Sequence, residues 1–117
     1  MTTNYYLWMG ICKCCGRPEK IYHIGLSAGG WQFLFQAYNF SEGESPHIHN
    51  IGDWKALLFN KDYKIYDEYE HEHPVEEFWG FIQNKQKERR SHVLEYGIKD
   101  EEWIDDQGYN FSLRNFS

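Results

Sequence analysis

The chain has no apolar run approaching the roughly 20 residues that cross a bilayer, and it opens without a basic segment leading into a long apolar one, so neither a membrane span nor a signal peptide is expected. Its cysteines number only three. An odd count without an export signal points to a reducing cytoplasm and away from a disulfide framework. Basic residues are also scarce, 12 against 18 acidic, for a net charge of −6. That balance argues against a general nucleic-acid binder, which needs a basic face. No internal repeat, linker or second C-x-x-C stands out, and no Walker A or Rossmann fingerprint is present.

Aromatic side chains, by contrast, are abundant, at 19% of 117 residues with five Trp, nine Tyr and eight Phe. They supply a core for one domain and favour strands and flat contact surfaces. Tyr5 to Met9 reads as a buried first strand. Ile21 to Leu26 and Trp31 to Tyr38 read as the arms of a hairpin over about 20–38, with Trp31, Phe33, Phe35 and Ala37 facing one way and Gln32 and Gln36 the other. Ser41 to Ile51 is turn-rich and reads as an exposed loop. A short helix is expected over about 52–60, capped by Asn50 or Asp53, with Trp54, Leu57 and Leu58 on one face. Tyr63 to Tyr69 alternates as a strand. Pro74 opens a longer helix over about 74–90, striped by Val75, Phe78, Trp79 and Ile82. Trp103 to Leu113 reads as a closing hairpin with Gly108 at a positive φ. Together these predict a single α+β domain, residues 1–117, around an antiparallel sheet.

One run concentrates reactive residue types: Ile11-Cys12-Lys13-Cys14-Cys15-Gly16-Arg17-Pro18, followed by His23. Cys12 and Cys15 with Gly16 have the form of a zinc knuckle, in which a tight turn points two thiolates at one ion. A purely structural turn and a dithiol redox pair are the alternatives. Pro18 weighs against the last, because a reactive pair usually sits at a helix N-terminus. A structural zinc would need further ligands. His23 is the nearest, and His47, His49, His71, His73 and His92 are the others, with His47-Ile48-His49 and His71-Glu72-His73 each placing two imidazoles on one side of an extended segment. Cys14 is expected to point away as a small buried side chain.

Ser27-Ala28-Gly29-Gly30 is expected either to be a plain hairpin turn or to cradle an anion with its backbone N–H groups. In the second reading Arg17 adds a phosphate contact, and Tyr22, Trp31 or Tyr38 stacks on a base. The acidic run Asp67, Glu68, Glu70, Glu72, Glu76 and Glu77 is expected to be surface charge, with nothing fixing two carboxylates at a working separation. The run from Lys85 to Arg90 is expected to be a solvated helix end rather than a phosphate contact. No Ser–His–Asp or Cys–His triad follows from the spacing.

Thr3-Asn4-Tyr5-Tyr6, Cys12-x-x-Cys15-Gly16-Arg17, His23-Ile24-Gly25-x-Ser27, Gly30-Trp31-x-Phe33, Asp67-Glu68-Tyr69, Glu76-Glu77-Phe78, Gly108-Tyr109-x-Phe111 and Phe116-Ser117 are placed along nearly the whole chain. In these it resembles a family of small uncharacterised proteins encoded by tailed bacteriophages and prophages. The resemblance implies a phage origin and the host-cell cytoplasm, and supplies no activity. The function expected is therefore a non-catalytic phage accessory protein that binds and modulates a host factor, in the manner of an anti-defence protein. Two alternatives stand beside it: a small-molecule binder that sequesters a nucleotide-derived signal, and a metal-dependent hydrolase using His23 with the His/Glu cluster.

Overall fold

The computed structural model describes residues 2–38, 48–97 and 101–114. Within them the order is β1 (Thr2–Met9), β2 (Lys20–Ala28), β3 (Leu34–Gln36), α1 (Ile51–Leu58), β4 (Lys64–Asp67), β5 (Glu72–His73), α2 (Val75–Lys85), α3 (His92–Tyr96), β6 (Glu102–Ile104) and β7 (Asn110–Ser112). The strands form one seven-stranded sheet in the order β5-β4-β1-β2-β3-β7-β6. The α+β class is as expected. The sheet, however, is mixed: β3 pairs with β7 in parallel, Phe35 opposite Phe111.

The period of two in β1 sets the layers. Tyr5 and Leu7 are buried while Tyr6 and Trp8 are half-buried, so alternate residues project to opposite faces. Tyr5 meets Phe78 and Phe81 of α2 at 5.1 and 5.7 Å between ring centroids, so α2 covers the Tyr5 face. Trp54 and Leu58 of α1 are buried in the same core, with Leu7, Ile65, Phe33, Phe35 and Phe111. Asn50 caps α1 by accepting the Asp53 N–H at 3.0 Å. The indole Nε1–H of Trp54 donates to the Gln36 carbonyl at 2.8 Å and fastens α1 to the end of β3.

Two expected elements come out shorter. The second hairpin arm is a strand only at Leu34–Gln36, and only Phe35 and Leu34 pair with β2. Gln32 is drawn elsewhere: its N–H donates to the Arg90 carbonyl, and its side chain donates to the Glu88 and Gln86 carbonyls. Gln36 does face away from Phe35, but it is buried. The longer helix ends at Lys85 rather than near 90. From there the basic run is a loop bound to the sheet end, because its carbonyls are taken by Gln32. A third helix follows, capped by Ser91, whose hydroxyl accepts the Leu94 N–H and is hydrogen-bonded to Asn110 of β7.

The closing hairpin forms as read, β6 against β7, with Gly108 at φ 89°. Asp105 organises it. One carboxylate oxygen accepts the Gln107 and Tyr109 N–H groups, and the other accepts the Ile51 N–H at the start of α1.

Candidate functional site

The residues singled out for a ligand fall at opposite ends of β2. Gly29 and Gly30 form an exposed turn with Gly30 at φ 80°, closed by the Trp31 N–H on the Ala28 carbonyl. That carbonyl also accepts the Lys85 ammonium at 2.6 Å, so the turn holds a cation through an oxygen. Ser27 lies in β2 opposite Thr3. Trp31 is stacked against His92 at 4.5 Å, with the Arg90 guanidinium 3.8 Å from its ring centre. Arg90 is itself paired with Glu95 at 2.8 Å.

Tyr22 and Tyr38 are six or more residues along the strand from that turn, roughly 20 Å at the rise of an extended chain. They meet each other at 5.3 Å. The Tyr38 hydroxyl accepts the His23 N–H at 2.9 Å and donates to the His23 carbonyl at 3.2 Å. It completes the edge of β2 where Ala37 has turned to donate to Ser112. Burial holds the Tyr38 phenol above its ordinary range. Tyr22 and Tyr38 thus serve the sheet, and with Arg17 beyond them they share no pocket with Ser27, Gly29, Gly30 and Trp31.

The cysteine turn joins β1 to β2. The Gly16 N–H donates to the Cys12 carbonyl at 2.8 Å, the Cys12 N–H donates to the Arg17 carbonyl at 2.8 Å, and Gly16 has φ 71°. The Cys12 sulfur accepts N–H groups of Cys15 and Cys14, which hold its thiol below the ordinary range. All three cysteines are exposed, so Cys14 is not the small buried side chain expected of it: the turn protrudes and leaves it no core to enter.

His23 does not reach this turn. It lies within β2, 8% exposed, its Nε2–H donating to Asn4 Oδ1 at 2.8 Å and its Nδ1 3.3 Å from Gln36 Oε1. Gln36 is fixed in turn, its amide donating to the Ser112 and Arg114 carbonyls. Burial lowers the His23 pKa, against the opposing pull of Gln36 and the Gly25 backbone.

Of the other histidines, His47 lies outside the described residues, and His49 is edge-on to Trp103 at 5.1 Å. His73 Nε2 is 2.9 Å from Asp67 Oδ2, and Asp67 also accepts the Tyr69 and His71 N–H groups. Burial would raise the Asp67 pKa, but the His73, His71 and Tyr69 hydrogen bonds outweigh it and lower the pKa. Among the described residues no three His, Cys, Asp or Glu side chains converge to hold a metal ion.

What the fold does bring together is an aromatic patch on the sheet face opposite α2. Tyr6 and Trp8 project there from β1, and Tyr66, which pairs with Tyr6, projects from β4. Trp8 and Tyr66 are stacked at 4.0 Å with 28° between planes, and Tyr6 lies 5.3 Å from the His23 ring. Ile21, opposite Trp8 in β2, is 52% exposed. A shallow cavity of about 200 Å³ opens here, lined by Tyr6, Trp8, Ile21, Asp67, Glu68 and Glu70. Glu68 is anchored by the Asn4 N–H at 2.8 Å, and burial with the nearby Glu68 charge raises the Tyr6 pKa. The patch therefore offers flat π-faces with carboxylates at its side.

Compared with known protein families, curated proteins and solved structures, the chain matches none. No helix among the described residues is long and apolar enough to cross a membrane.

The patch was not anticipated as a site. The period of two along β1 and β4 carried the signal, because Tyr6, Trp8 and Tyr66 occupy positions that an outward face ordinarily gives to polar residues.

Proposed function

We propose that the protein is a non-catalytic, phage-encoded accessory factor of the host cytoplasm that docks a basic segment of a host protein on this aromatic face. The supporting observation is the Trp8–Tyr66 stack beside exposed Ile21, with Glu68 and Glu70 lining the same cavity. A guanidinium or ammonium laid on Trp8 or Tyr6 gains from the ring quadrupole and from the adjacent carboxylates. The net charge of −6 adds long-range attraction for a basic partner.

The reading is tested by titrating an arginine-rich peptide into the protein and following tryptophan fluorescence, with a glutamine-substituted peptide as control. The parent should bind the basic peptide in a salt-sensitive way. Trp8→Ala should weaken binding about tenfold, the size of an interface anchor, and Glu68→Gln with Glu70→Gln should weaken it and flatten its salt dependence. Equal affinity for both peptides, or a Trp8→Ala variant that stays folded and binds as the parent does, refutes the proposal. Host protein captured from a lysate counts in its favour only if Trp8→Ala releases it.

A further inference from the structure

We propose that the Cys12–Cys15 turn is one half of a zinc site completed by the same turn of a second copy, so that one tetrahedral Zn²⁺ held by four thiolates joins two chains. The turn is already built in the form such a site uses. The Gly16 N–H closes it on the Cys12 carbonyl, Gly16 takes the left-handed conformation, and the Arg17 carbonyl holds the Cys12 N–H.

Among the described residues, one chain supplies too few ligands. A structural zinc takes four, and among the described residues no third His, Cys, Asp or Glu joins Cys12 and Cys15. His23 is committed to the sheet through Asn4 and Gln36. Both sulfurs are exposed on a turn that joins two strands, so the remaining coordination positions face solvent. A second copy brings two more thiolates in the same geometry.

Charge favours this meeting despite the overall repulsion of two acidic chains. Residues 12–20 carry Lys13, Arg17 and Lys20 against Glu19 alone. Four thiolates around Zn²⁺ leave a charge of −2, which the basic residues of the two turns offset. Each thiol gives up its proton as it binds, so formation of the site releases protons and weakens at acid pH.

The test uses the full chain, reduced and freed of metal, titrated with Co²⁺ as a visible probe and then with Zn²⁺, while mass is read by light scattering. Expected are the visible bands of tetrahedral thiolate-bound Co²⁺, saturation at one metal per two chains, and a metal-dependent doubling of mass that a chelator reverses. Cys12→Ser and Cys15→Ser should abolish both bands and dimer. As exposed turn residues they should leave thermal stability unchanged. Cys14→Ser should keep both, and so should His23→Ala, or His23→Gln if the alanine variant unfolds. Saturation at one metal per chain with monomeric mass overturns the proposal. So does loss of the bands in a folded His23 variant, retention of both signals in Cys12→Ser, or failure of Co²⁺ to give thiolate bands.

Discussion

Gly25 stands between buried Ile24 and half-buried Leu26 in β2, and the structure gives it a steric reason. A Cβ built there lies closer than 3.0 Å to the Leu34 carbonyl oxygen and to two atoms of the Phe33 ring. Phe33 is fully buried against Phe35, Phe78 and Tyr5, at 4.6, 6.0 and 6.0 Å between centroids, so its ring has nowhere to go. The Leu34 oxygen belongs to the strand partnered by Leu26, so it retreats only by breaking the two residue pairs that join β2 to β3. Overpacking in a core costs about 1–3 kcal/mol, and with backbone as one of the obstacles Gly25→Ala should fall near the top, about 3 kcal/mol. For a domain of this size that lowers the melting temperature by roughly 10 °C. Gly29→Ala is the matched control. It sits four residues on, has nothing within 4 Å of its Cβ, and should melt within about a degree or two of the parent. Urea unfolding followed by tryptophan fluorescence, with thermal melts beside it, reads both. A Gly25→Ala midpoint indistinguishable from that of Gly29→Ala would refute the close approach of Phe33 to β2.

Acid should destabilise the fold before any carboxylate titrates. Burial lowers the pKa of both His23 and His92 from 6.5, so the unfolded chain binds more protons below that value and stability falls as pH drops through it. The urea midpoint at pH 5.5 should lie below that at pH 7.5, with a smaller difference in His23→Gln, and a flat profile would refute the buried neutral imidazole. Trp54→Phe removes the indole donor from the Gln36 carbonyl and leaves that oxygen unpaired beside a small void. The loss should be about 3 kcal/mol by denaturant titration, and a cost under about 1 kcal/mol would refute the hydrogen bond as the fastening of α1.

The sequence was most legible where one periodicity acted alone. β1, α1 and the Gly108 hairpin follow from alternation, from Asn50 with the spacing of Trp54 and Leu58, and from a positive-φ glycine. It was least legible where a side chain from elsewhere takes over the backbone. The strand beginning at Trp31 is cut short because Gln32 reaches carbonyls more than 50 residues away and Ala37 turns to β7. α2 stops at Lys85 for the same reason, its following carbonyls being claimed by Gln32. The parallel pairing of β3 with β7 joins segments 76 residues apart and leaves no local mark. Among the candidate site residues, Cys12, Cys15 and Gly16 form the tight turn between β1 and β2, with Gly16 at a positive φ. His23, Tyr22 and Tyr38 were drawn instead into the hydrogen bonds and ring contacts that complete β2.

The two proposals meet on one hairpin but rest on different atoms. Trp8 and Ile21 pair one step from the end of the ladder, where Met9 meets Lys20, and the cysteine turn begins just beyond. A chain pair joined through Cys12 and Cys15 would carry two aromatic faces, and linking two faces raises avidity without any new contact at either one. On the proposed reading, the affinity of a single face for a short basic peptide depends on Trp8, Tyr66, Glu68 and Glu70, none of which belongs to the cysteine turn. Peptide affinity and metal-dependent mass therefore report separately, and either proposal can fail while the other stands.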